Sequence, residues 1–95
     1  MDKIEKFSEL AELLKAIAHP TRLSIVHGLW ENGGCNVSHM QECLGQPQST
    51  ISQQLAKLRA AGIVRTDRRG LEVYYELSDE RIEKMLAALF SEDEK

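Results

Sequence analysis

Two sets of side chains in this 95-residue chain have the types and spacing to do chemistry. The first is a run of neutral hydrogen-bonding groups, Gln48, Ser49, Thr50, Ser52, Gln53 and Gln54, followed by Lys57 and Arg59. Amides and hydroxyls read base edges in the DNA major groove: Gln bonds adenine bidentately, and Ser or Thr meets several edges. Lys57 and Arg59 suit phosphates, as do Arg68 and Arg69 further on. The plainer alternative is the solvated face of an amphipathic helix. The second set is Cys35, His39 and Cys43. His39 and Cys43, four residues apart, share one helical face. Two thiolates and an imidazole are weak candidates for a Zn²⁺ or Cu(I) site, and the two thiols are candidates for redox sensing. In one continuous helix the two thiols would stand about 12 Å apart, too far for a disulfide, unless the Gly33-Gly34 loop folds back. In the structural alternative, Cys43 beside Met40 and Leu44 is a small buried apolar residue and Cys35 beside the glycines is exposed and idle.

The elements that position these groups follow from apolar spacing and from Pro and Gly. Leu10, Leu13, Leu14 and Ile17 form one helical stripe, ended near His19-Pro20 because a residue before proline is pushed out of the α region. Pro20 opens a second helix that runs to Asn32-Gly33-Gly34. Ser38 and Gln41 read as a capping box for a short third helix closed by Gly45. Pro47 opens a fourth, with Ile51, Leu55 and Leu58 inward and Gly62 as a left-handed cap. Only Gly45-Gln46-Pro47 separates the third and fourth helices, as a helix-turn-helix requires. The period then changes to two: residues 63–68 and 71–77 alternate as strands around Arg69-Gly70, a hairpin with a basic tip. Ser78 is expected to cap a last helix whose apolar face holds Ile82, Met85, Leu86, Leu89 and Phe90. His19 and His27 read as structural, His39 as surface, and Trp30 and Tyr74 as core. The fold expected is mainly α with a β-hairpin wing, α-α-α-α-β-β-α, a winged helix-turn-helix forming one domain over residues 1–95.

Composition narrows the function classes. The chain is 42% hydrophobic and 28% charged, the balance of an ordinary globular domain rather than a disordered or fibrous one. Its net charge of −3 argues against nucleic acid until the distribution is examined. Between Gln46 and Tyr75 lie Lys57, Arg59, Arg65, Arg68 and Arg69 against Asp67 and Glu72, so +5 − 2 = +3, leaving −6 for the rest. One basic segment sits in an acidic body. No apolar run reaches the roughly 18 residues of a membrane span. The start, Met1-Asp2-Lys3-Ile4-Glu5-Lys6, lacks the apolar core of a signal peptide. A cytoplasmic protein with reduced thiols is expected. Neither a catalytic triad order nor a phosphate-binding Gly loop is present, so neither an enzyme nor a cofactor is expected. A protein-interaction winged helix is the competing class, since fold alone does not determine function.

From about Leu10 to Leu89 the chain resembles the ArsR/SmtB family of small bacterial winged-helix repressors. The residues that carry the resemblance are Ala16-Ile17-Ala18-His19-Pro20-Thr21-Arg22-Leu23 and Pro47-Gln48-Ser49-Thr50-Ile51-Ser52-Gln53-Gln54-Leu55-Ala56-Lys57-Leu58, with Ala61-Gly62-Ile63-Val64 and Val73-Tyr74-Tyr75-Glu76-Leu77. The resemblance implies a homodimer through the first and last helices, bound to palindromic operator DNA with recognition helices about 34–36 Å apart. It also implies derepression by an inducer, but names none. The metal-binding Cys-x-Cys positions of many relatives fall here on Asn36 and Ser38. Those of a second family site fall on Asp79, Arg81, Glu92 and Lys95, and neither set suits a transition metal. Persulfide-sensing relatives place cysteines in the second and last helices, where this chain has none. Oxidation that joined Cys35 to Cys43 would distort the third helix, which supports the recognition helix.

Overall fold

The computed structural model describes residues 2–91, ordered α1 (Asp2–Ile17), α2 (Pro20–Asn32), β1 (Cys35–Asn36), α3 (Val37–Leu44), α4 (Gln48–Ala60), β2 (Val64–Arg69), β3 (Glu72–Leu77) and α5 (Glu80–Phe90). Residues 92–95 lie outside the described residues. The helix-turn-helix forms where spacing and turn residues place it, and the hairpin turns one residue later than expected, at Gly70-Leu71, with Arg69 inside β2. Pro20 starts α2, with His19 as its cap: Nδ1 accepts from the Thr21 amide at 3.1 Å. At Gly45 the backbone takes φ +65°, the left-handed value that lets α3 stop and α4 begin three residues later.

Three local readings are corrected. Asn36, not Ser38, caps α3, its side chain accepting from the His39 amide at 2.8 Å. Asp79, not Ser78, caps α5, while the Ser78 hydroxyl donates to the Gly62 carbonyl. Cys35-Asn36 forms a third strand, antiparallel to β3, giving the order β1-β3-β2. A two-residue strand is too short to show any alternation, so its sequence carries no period to detect.

The core lies between α2, α4, α5 and the base of the sheet. Val26, Ile51, Leu58, Ile63 and Leu86 are wholly buried there. Leu13 and Ile17 of α1 join them, but Leu10 and Leu14 of the same stripe are 41% and 43% exposed. The four share one stripe about 100° wide, and the core covers only the edge that carries Leu13 and Ile17, leaving the Leu10 and Leu14 edge open. In the hairpin, Arg65 pairs with Glu76, Thr66 with Tyr75, Arg68 with Val73 and Arg69 with Glu72. Alternation then puts Val64, Thr66, Arg68, Val73, Tyr75 and Leu77 on the core side, and Arg65, Asp67, Arg69, Glu72, Tyr74 and Glu76 on the other. Tyr74 is therefore on the outer face of the wing, under the Arg69 guanidinium at 4.5 Å, and Tyr75 is the tyrosine that packs on the core. Trp30 is half-buried against the core, and the His27 ring lies 4.4 Å from Phe90.

Candidate nucleic-acid interface

Burial of Ile51, Leu55 and Leu58 orients α4. With these apolar residues inward, Gln48, Ser49, Ser52, Gln53 and Lys57 stand exposed, and Thr50 is half-buried. The helix opens at Pro47, which offers no side-chain cap, so the first-turn amides point outward without an intramolecular acceptor from that residue. Such amides, with the positive end of the helix dipole, favour a phosphate. Arg59, also exposed, lines an open groove of about 480 Å³ with Ser52, Ala56 and Tyr75, between α4 and the wing.

Gln54 is placed differently from its neighbours. It turns toward α2, and its Oε1 accepts from Arg22 Nη1 at 2.8 Å, while Arg22 Nε donates to the Ala16 carbonyl. Its carbonyl is thus occupied, and Gln54 ties α4 to α2 and to the end of α1. Arg22 was missed in the sequence because its partner is 32 residues away, and no local periodicity links the two.

The two wing arginines also differ. Arg69 donates to Asp67 at 3.0 Å and to Glu76 at 3.3 Å, and Arg65 donates twice to Glu76, at 3.0 and 3.1 Å. These four form a charge network on the outer face, where the cations are already partnered. Arg68 makes no ion pair among the described residues. By strand alternation it shares a face with Tyr75, which borders the α4 groove. The counter-ion role of Glu76 was legible once the hairpin register was known, because paired residue numbers here sum to 141.

The two thiols exchange their expected places. Cys35, expected to be exposed, is 5% exposed, and Cys43, expected to be buried, is exposed. Pairing of β1 with β3 draws Cys35 inward, whereas Cys43 stays exposed near the end of the short α3. Burial pushes the Cys35 thiol above its ordinary pKa, and proximity to Cys43 adds to the rise. Cys43 Sγ lies 3.5 Å from His39 Nε2. Among the described residues no three His, Cys, Asp or Glu side chains gather closely enough to hold a metal ion, Cys35, His39 and Cys43 included. At the second family position, Asp79 is engaged by Arg81 at 2.9 Å, and Glu92 and Lys95 lie outside the described residues. Among the described residues no helix is long and apolar enough to cross a membrane.

Comparison with known proteins agrees with this geometry. Residues 17–67 match the family of a helix-turn-helix domain. The transcriptional repressor PagR of Bacillus anthracis is 42% identical over 89 residues, spanning 92% of this chain and 89% of that protein. Its crystal structure superposes with a TM-score of 0.83 at 38% identity, over 90% of this chain and 98% of that one. The transcriptional repressor SmtB of Mycobacterium tuberculosis is 44% identical over 71 residues, 75% of this chain and 52% of that protein. Reduced HlyU from Vibrio cholerae gives a TM-score of 0.87 at 35% identity, over 96% of each chain. PagR and SmtB are repressors rather than enzymes, and the helix-turn-helix with its wing is the DNA-binding fold they share. The chain belongs to the ArsR/SmtB family of winged-helix transcriptional repressors.

Proposed function

We propose that the chain, acting over residues 1–95 as one domain, is a cytoplasmic homodimeric repressor of a palindromic operator. Gln48, Ser49, Thr50, Ser52 and Gln53 enter the major groove, and Gln54 supports them from the α2 side. Lys57 and Arg68 hold the flanking phosphates, with Arg69 at the wing tip. The observation that carries the reading is the division of charge. The exposed start of α4 is neutral and hydrogen-bonding, and Lys57, Arg59 and Arg68, which make no ion pair among the described residues, flank it. Neutral donors and acceptors discriminate bases, whereas cations contribute affinity without discriminating sequence. The acidic remainder of the body keeps the rest of the surface off the DNA.

The dimer is formed by α1 and α5. Ile4 and Phe7 of α1 and Leu89 of α5 are 69%, 62% and 61% exposed, and Leu10 and Leu14 extend the α1 stripe. Exposed apolar side chains on these two helices mark an interface, and two-fold symmetry makes it self-complementary. Repression is relieved by oxidation or persulfidation of the thiols at Cys35 and Cys43. Their placement within and just before α3, the helix that supports α4, favours this over an inducer acting at the wing.

The test is fluorescence anisotropy with operator DNA from upstream of the protein's own gene, titrated at several salt concentrations. Tight binding whose logarithm falls steeply and linearly with log salt supports the reading, because each neutralised phosphate releases counterions. Absence of operator binding under all conditions would instead favour a protein-interaction module.

A further inference from the structure

A small cavity of about 30 Å³ lies between α2 and α3, lined by Gly28, Leu29, Cys35, His39, Met40 and Cys43. A water-sized molecule needs roughly 10–15 Å³ of such space, so the cavity has room for water or hydrogen peroxide. The two sulfurs reach it from different environments: Cys43 is exposed, with His39 Nε2 at 3.5 Å, and Cys35 is buried in β1. The thiolate is the reactive form of cysteine. His39 is placed to take the Cys43 proton, whereas the raised pKa of Cys35 keeps that thiol protonated.

We propose that Cys43 is the peroxide-reactive thiol of a two-cysteine switch, with His39 as its proton acceptor and Cys35 as its resolving partner across the cavity. The inference rests on the repressor reading and specifies its regulation. In the first step the Cys43 proton passes to His39, and the thiolate attacks one oxygen of hydrogen peroxide. The O–O bond breaks, and the departing hydroxide takes the proton back from His39 and leaves as water. Sulfur is oxidised to a sulfenic acid and peroxide is reduced. In the second step the Cys35 sulfur attacks the Cys43 sulfur and the S–O bond breaks. The hydroxyl leaves with the Cys35 proton as a second water, and the disulfide forms. Two thiols and one peroxide thus give one disulfide and two waters.

The consequence for DNA follows from what is anchored. Cys35 is held by β1, which pairs with Tyr75 and Tyr74 of β3. Cys43 lies in the last turn of α3, one residue from its end. Drawing Cys43 inward across the cavity therefore moves the end of α3 rather than the sheet. Gly45-Gln46-Pro47 passes that movement directly to α4.

The experiment treats the reduced full-length protein with hydrogen peroxide and follows intact mass, trapping of sulfenic acid by dimedone, non-reducing electrophoresis and operator affinity. The wild type should lose two hydrogens within one chain, and its operator affinity should fall roughly tenfold or more, a usual size for such coupling, with recovery in dithiothreitol. Cys43→Ser should neither react nor lose operator affinity on treatment. Cys35→Ser should accumulate a dimedone-trappable Cys43. Cys35→Ala, which leaves no polar group in the core, repeats that test should the serine variant fold poorly. His39→Gln should slow the loss of the Cys43 thiol. An unreactive wild type would overturn the proposal. So would a Cys43→Ser variant oxidised as fast as wild type, a disulfide joining two chains, or a disulfide without effect on operator affinity. If the reduced protein binds no operator, the repressor reading falls. Mass and trapping would then still uphold or overturn the pairing of Cys43 with Cys35.

Discussion

Replacing Phe7 with alanine is expected to weaken the dimer and, through it, operator binding. Phe7 is 62% exposed in the single chain, so that fraction of its ring remains to be covered by a partner. Full burial of a Phe side chain contributes about 1.5–3 kcal/mol, so covering this fraction contributes about 1–2 kcal/mol per protomer. Two-fold symmetry doubles it to about 2–4 kcal/mol. Because alanine keeps one carbon of the side chain, the lower half of that range applies. At about 1.4 kcal/mol per tenfold, the dimer dissociation constant should rise roughly 30- to 100-fold. Alanine is the best helix former, so α1 itself is not penalised. Sedimentation equilibrium over a concentration series measures the dimer constant directly. Operator titrations should in parallel become steeper and shift to higher protein concentration. Leu71→Ala is the control, since Leu71 is 99% exposed but lies at the wing tip, away from α1 and α5. A monomeric wild type, a Phe7→Ala shift of less than about threefold, or an equal shift in Leu71→Ala would refute the assigned interface.

Four further substitutions have expected outcomes. Gln53→Ala should cost roughly 1–3 kcal/mol of operator affinity and relax preference at one base position, read by a base-substituted operator panel; Arg68→Ala should weaken all sequences alike and lower the salt slope by about one. Arg22→Ala removes both the Gln54 and the Ala16 hydrogen bonds, and should lower unfolding stability by about 1–3 kcal/mol in urea titrations. Asp79→Ala removes the α5 cap and should cost about 1 kcal/mol near neutral pH. The hydrogen bonds from the Arg81 side chain hold the Asp79 carboxyl below the usual carboxylate range. A depressed carboxylate contributes stability above its unfolded pKa and loses it as pH falls through the folded value. The gap between wild type and Asp79→Ala should therefore be widest near neutrality and close in strong acid, as urea melts across pH will measure.

What the sequence by itself determined was the placement of the helices and of the hairpin. Proline and glycine punctuation placed α2, α3 and α4, and the change of period from 3.6 to 2 placed β2 and β3. The apolar spacing of Ile51, Leu55 and Leu58 turned the polar side of α4 outward. Neighbours a few residues apart decide those features, so one chain suffices to read them. The tertiary structure alone decided what depends on distant partners. Arg22 reached across from α2 to occupy Gln54. Glu76 and Asp67 took the charge of Arg69 and left Arg68 as the wing cation without an ion pair. The two caps fell to Asn36 and Asp79, each with extended backbone just before its helix. Most consequential was β1: two residues have no detectable period, yet their pairing with β3 buried Cys35 and brought it to the cavity that Cys43 and His39 also line. Burial is a property of what packs around a side chain, and for both cysteines the packing partners came from elsewhere in the chain.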